Sequence, residues 1–199
     1  MQKTLFLLAV LSTSFFSIQA QKSEKEILKN LEQKSEDYGI IAQNIWEFAE
    51  MGYQEEQSSG LLQKTLQDAG FTIKKGVAGI PTAFIAEYGS GTPVIAIMGE
   101  FDALPGLSQK ATADKESAGK AAGHACGHHL FGTASTAAAI STKEWLVANK
   151  AQGTIRFYGT PAEEGGSGKV YMVREGLFND VDIALHWHPG AQNAASAGA

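Results

Sequence analysis

The run His124-Ala125-Cys126-Gly127-His128-His129 sets a thiol among three imidazoles within six residues. Downstream come the carboxylate pair of Pro161-Ala162-Glu163-Glu164-Gly165-Gly166 and the histidines of His186-Trp187-His188-Pro189. Sulfur, imidazole and carboxylate together are a donor set that holds a divalent transition metal. Cys126 is the only cysteine, so it cannot close an internal disulfide; burial, metal binding or reactivity are its remaining uses. Cys126 and His128 flank a glycine at the mouth of a predicted helix, so both can turn toward one point. The helix N-terminus there is expected to favour thiolate over thiol. His124 and His129 fit a supporting part, orienting a ligand imidazole or contacting substrate. In an extended segment the side chains of Glu163 and Glu164 would point opposite ways. One carboxylate then binds metal, and the other takes a proton from a water whose pKa the metal lowers. His186 and His188 alternate along a predicted strand and would share a face, so that one or both complete the site. The sequence has no nucleophile elbow, phosphate-binding glycine loop or CxxC pair, which leaves metal-activated water as the reaction type.

These groups need elements to position them. Apolar residues at three- and four-residue spacings predict a helix from Ser23 to about Met51, with Gly39 as a break or bend, and a second from Gln54 to Ala69. Short strands are predicted over Phe71–Lys74, Thr82–Tyr88 and Pro93–Met98. The last is almost wholly apolar, as in a strand covered on both faces. Gly89-Ser90-Gly91 reads as a turn that pairs the second and third strands as a hairpin. Gly106–Gly123 is a long polar loop of the kind that is usually functional or mobile. Next come a small-residue helix from about Gly127 to Asn149, a strand at Thr154–Gly159, a short helix at Gly168–Glu175 and a last strand at Val181–Trp187. Strand-helix-strand-helix-strand order predicts an α/β fold, a sheet flanked by helices. In such sheets ligands gather beyond the carboxyl ends of strands, which is where all three motifs fall.

The 199 residues suffice for one domain of ordinary size, and the net charge of -5 offers no basic footprint for nucleic acid. Residues 1–20 read as a signal peptide: Lys3, an apolar run from Leu5 to Ile18, and Ala20 before the expected cleavage point. Ser12, Thr13 and Ser14 make that run too short and polar for a membrane span. No cysteine follows to carry a lipid anchor. Residues 21–199 are therefore expected to be exported, to a periplasm or beyond. In such a compartment a single thiol points again to a partner other than sulfur.

With the three motifs in order, the chain resembles the M20 metallopeptidase family, in the amidohydrolase branch of aminobenzoyl-glutamate and N-acyl-amino-acid hydrolases. Trp46–Glu56, Gly99–Ser108 and Tyr158-Gly159 add to the likeness, which runs from about Ser35 to Pro189. The resemblance implies the N-terminal half of a zinc-peptidase-like catalytic domain with two divalent ions, zinc or manganese. It implies hydrolysis of an amide bond beside a carboxylate, in N-acyl or aminoacyl amino acids or dipeptides. Carried over, Cys126, His128 and Glu164 are metal ligands and Glu163 is the general base. Counting six residues from Asp182 selects His188 as a further ligand, with His186 as the alternative; Asp102 stands close to the site. His129 occupies a place where the family commonly has an acidic or amide residue. The family's lid and dimerisation domain, and a final histidine ligand beyond it, have no counterpart here. The chain thus reads as part of a longer, homodimeric enzyme. The competing class is a non-catalytic relative that binds metal or ligand without turnover.

Overall fold

The computed structural model describes residues 24–192, so the predicted signal peptide lies outside the described residues. The chain divides into two units, Met1–Glu36 and Asp37–Ala199. In the first, residues 24–33 form helix α1, and α2 (Ser35–Phe48) begins at its end. The interruption falls at Lys34 rather than at Gly39, which lies within α2. A glycine in a helix interior costs only about 1 kcal/mol relative to alanine, too little to break a helix held by its flanks.

The second unit continues with α3 (Glu56–Asp68), β1 (Thr72–Lys75), β2 (Phe84–Ser90), β3 (Val94–Gly99), β4 (Leu104–Pro105) and β5 (Ala122–Gly123). It ends with α4 (His128–Asn149), β6 (Gly153–Gly159), α5 (Glu163–Gly166), α6 (Gly168–Arg174) and β7 (Ile183–Leu185). Five strands form a mixed sheet in the order β1-β2-β6-β3-β7. The expected β2–β3 hairpin is therefore not formed. β6 lies between those strands, antiparallel to β2 and parallel to β3, with Gly99 opposite Gly159. Because β3 is apolar on both faces, an interior place between β6 and β7 satisfies both of its edges and covers both of its faces.

Side chains alternate between the two sides of this sheet. Phe84, Ala86, Ile97, Ile155 and Phe157 pack with Ile45 of α2, Leu62 and Leu66 of α3, and Ala139 and Ile140 of α4. The intervening Ile85, Ala96 and Tyr158 face Met172 of α6, with Val77 and Ile80. The α/β expectation of a sheet flanked by helices thus holds. Small residues set the depth at which α4 lies: a Cβ on Gly132 would stand 2.8 Å from the carbonyl oxygen of Glu100. The long polar loop is pinned at its base, where Leu104 pairs with Gly123 and Pro105 with Ala122. Among the described residues no helix is long and apolar enough to cross a membrane.

Candidate metal centre

β3, β6 and β7 run parallel, so their carboxyl ends open on one edge of the sheet. Glu100 and Asp102 follow β3, Glu163 and Glu164 follow β6, and His186 and His188 follow β7. α4 starts at the same edge. Gly127 caps it in a left-handed conformation, φ 83°, which carries the chain round between Cys126 and His128.

His128 is fully buried at the middle of this arrangement. Its Nδ1 lies 2.8 Å from Asp102 Oδ1 and 3.1 Å from the Asp102 carbonyl oxygen. Both oxygens can only accept, so Nδ1 carries the proton that it donates. The other Asp102 oxygen accepts the Glu164 backbone N–H at 2.8 Å, tying α4 to the glutamate pair. On the far side of the ring, Nε2 stands 3.0 Å from Glu100 Oε2 and 3.9 Å from both Glu163 Oε2 and Glu164 Oε1. His128 Nε2, Glu100 Oε2 and Glu164 Oε1 are buried yet make no aligned hydrogen bond among the described residues. Such a set fits a cation: the carboxylate behind Nδ1 orients the ring, and the outward nitrogen and oxygens are left to coordinate. In the protein alone, burial works against charge on His128, but the contacts with Asp102 and Glu100 raise it to about 10. A cation at this point would take the place of the Nε2 proton.

Cys126 Sγ lies 3.4 Å from His188 Nε2. His188 Nδ1 sits 2.9 Å from the Pro189 carbonyl oxygen, which makes Nδ1 the protonated nitrogen and leaves the Nε2 lone pair facing the sulfur. Cys126, His128 and His188 offer donor atoms within 4.8 Å of one another, and so do Glu100, His128 and Glu163. The two triads share His128. The expected thiolate is not what the protein by itself supports. Burial pushes the Cys126 thiol up to about 12, helped by Glu164, Glu163 and Glu100 nearby. Those negative neighbours outweigh the helix N-terminus, and only a bound cation would reverse the balance.

The glutamates are not on an extended segment. Ala162 is left-handed (φ 56°, ψ 45°) and Glu163–Gly166 is a single irregular turn, so both carboxylates face His128. They differ in exposure instead: the Glu163 side chain is 44% exposed and that of Glu164 17%. Glu55, fully buried, holds this turn. Its Oε1 accepts the Ala162 N–H at 2.8 Å and its Oε2 the Thr82 hydroxyl at 2.9 Å. Burial raises the Glu55 carboxyl above its ordinary range. The Tyr53 hydroxyl donates to the Gly166 carbonyl oxygen at the other end of the turn.

Of the two histidines after β7, His188 is brought to the sulfur. The strand stops at Leu185, so neither histidine lies on it as expected. His186 instead sets its Nε2 3.4 Å from Glu100 Oε1 and its ring edge on Phe131. His124 and His129 belong to neither donor triad. His124 Nε2 donates to the Ile45 carbonyl oxygen at 3.0 Å, and the His129 ring meets Trp46 edge-on at 4.8 Å. Burial lowers both imidazoles to about 4, so they pack as neutral rings. The sequence patterns assign no role to Glu100, Lys169 or Glu55. Glu100 had a signal, an acidic residue directly after an apolar strand. Lys169 had none, because its ion pair with Glu100 spans 69 residues.

A buried imidazole backed by a carboxylate and ringed by sulfur, nitrogen and oxygen donors at strand ends defines a class of metal-site hydrolase folds. The chain belongs to Peptidase family M20/M25/M40, whose profile matches residues 96–198. It is 51% identical over 163 residues to a p-aminobenzoyl-glutamate hydrolase polypeptide of Escherichia coli (strain K12), covering 81% of this chain and 34% of that one. It is 30% identical over 191 residues to Xaa-Arg dipeptidase of Mus musculus, covering 87% of this chain and 41% of that protein. The chain thus spans about a third to two-fifths of the length of these relatives. Among solved structures, the Bacillus subtilis YXEP protein, described as a dinuclear metal binding peptidase from the M20 family, superposes with a TM-score of 0.61 at 29% identity. That match covers 75% of this chain and 42% of that one. A putative aminohydrolase from methicillin-resistant Staphylococcus aureus shares the fold with a TM-score of 0.68 at 22% identity, over 81% of this chain and 42% of that one.

Proposed function

We propose that the protein carrying this chain is a metal-dependent amidohydrolase. It would cleave the amide bond of N-acyl or aminoacyl amino acids or dipeptides, with aminobenzoyl-glutamate-like substrates favoured. The observation that carries the reading is the convergence of Cys126, His188, Glu163 and Glu164 on the outward nitrogen of His128. The names of the relatives supply the substrate class.

Cys126, His128, Glu164 and His188 would hold two divalent ions, zinc or manganese, a mixed set of sulfur, nitrogen and oxygen that suits either. Bound there, the ions would polarise the scissile carbonyl and make a water acidic enough to deprotonate near neutral pH. Asp102 keeps the His128 ring in the tautomer that presents Nε2. Glu163, the more exposed of the pair, takes the proton of the attacking water and passes it to the departing nitrogen. Export of the mature chain, on the strength of residues 1–20, and homodimerisation of the complete protein belong to the same proposal.

The test is Glu163→Gln in the full-length protein, assayed on aminobenzoyl-glutamate with metal content measured in parallel. Loss of general-base catalysis predicts a fall in kcat of about 10²- to 10⁴-fold with metal retained. Full activity would remove Glu163 as the base. Bound metal without any turnover in the unaltered protein would favour the non-catalytic reading.

A further inference from the structure

Glu100 is 2% exposed and projects from the carboxyl end of β3 into the centre. Its two oxygens have different surroundings. Oε1 pairs with the Lys169 ammonium and lies 3.4 Å from His186 Nε2. Oε2 is buried without an aligned donor and stands 3.0 Å from His128 Nε2, which is likewise without one. Two donors that each sit about 2.0–2.2 Å from one ion are separated by roughly 3–3.5 Å. The spacing therefore suits a shared cation better than a hydrogen bond. A buried carboxylate oxygen left without a donor is costly. Lys169 and His186, both on Oε1, fix the carboxylate so that Oε2 alone is aimed at the centre, the way outer groups orient a ligating carboxylate.

We propose that Glu100 is a further ligand of the metal centre, its Oε2 binding the ion that His128 Nε2 also binds, with Lys169 holding its other oxygen. This rests on the metal centre described above and adds a donor that neither the motifs nor the four ligands assigned from them include. Lys169 is a positioning residue in this scheme. By offsetting the charge of Glu100 it keeps a centre already holding Glu163 and Glu164 from accumulating negative charge.

Co²⁺ is a suitable probe, because its visible absorption reports the identity and number of its ligands. The full-length protein, freed of metal, is titrated with Co²⁺ as wild type, Glu100→Gln and Lys169→Met. Glu100→Gln is expected to weaken one of two ions at least about 100-fold, beyond the 10- to 100-fold typical of outer-shell changes, and to alter the spectrum. Lys169→Met is expected to keep the wild-type spectrum. Should the amide variant not fold, Glu100→Asp keeps the charge, shortens the reach by one methylene and is read in the same way. Two ions bound by the Glu100 variant with wild-type affinity and spectrum would overturn the assignment and leave the metal centre standing. If the wild-type protein takes up no Co²⁺, the metal centre falls, and this assignment with it.

Discussion

At the scale of single residues, the site is decided by which atoms are already engaged. Asp102 engages Nδ1 of His128, and the Pro189 carbonyl engages Nδ1 of His188, so both rings turn Nε2 toward the same space. Charge follows from this crowding, and it gives the metal-free protein a defined pH profile. His128 is raised to about 10 from an ordinary 6.5, so its stabilisation is fully present below about 6.5 and is lost as pH rises through 10. His124 and His129 are lowered to about 4, so theirs is present above about 6.5 and is lost as pH falls through 4. For Glu100, burial pushes the carboxyl up, but His128 and Lys169 bring it down to about 2; its stabilisation is present above about 4.5 and is lost only toward pH 2. Urea midpoints measured in EDTA should therefore peak near pH 6.5 and fall on both sides. His129→Asn should flatten the limb between pH 6.5 and 4, and an unchanged limb would show that this ring is not buried neutral.

At the scale of elements, two glutamates from one short segment hold the parts that present the site. Glu50 lies outside α3 yet caps it, its carboxylate accepting the N–H groups of Gln57 and Ser58 at 3.0 and 2.9 Å. A negative group at a helix N-terminus satisfies orphan donors and complements the dipole. Glu50→Ala should cost about 1 kcal/mol in chemical unfolding, within the range measured for lost N-caps. Glu55 does the corresponding work for the irregular turn of Glu163 and Glu164. Glu55→Leu removes the acceptor of the buried Ala162 N–H and of the Thr82 hydroxyl, at about 1–3 kcal/mol for each group left unpaired. Its kcat should fall as well, because the turn is no longer held against β6. Unchanged stability together with unchanged kcat would show that the turn holds itself.

At the scale of the whole molecule, the fold assembles donors from four places in the sequence, and a cation should bind the native state alone. Zn²⁺ or Mn²⁺ at about 100 times its Kd would then add about 2.7 kcal/mol, seen as a rise in Tm that EDTA reverses. His188→Ala should reduce that rise; a full rise would take His188 out of the ligand set. The sequence by itself determined the elements and the donor types. Helical spacing and alternation are local properties, and the three motifs stand next to strand ends that their own apolar runs reveal. Only the tertiary structure decided that β6 separates β2 from β3, because strand pairing depends on which edges and faces the rest of the chain can cover. It also decided that His188 and not His186 meets the sulfur, that the isolated Cys126 is a thiol, and that Glu100 enters the centre. Each of these turns on neighbours more than twenty residues away, and no local pattern carries that information.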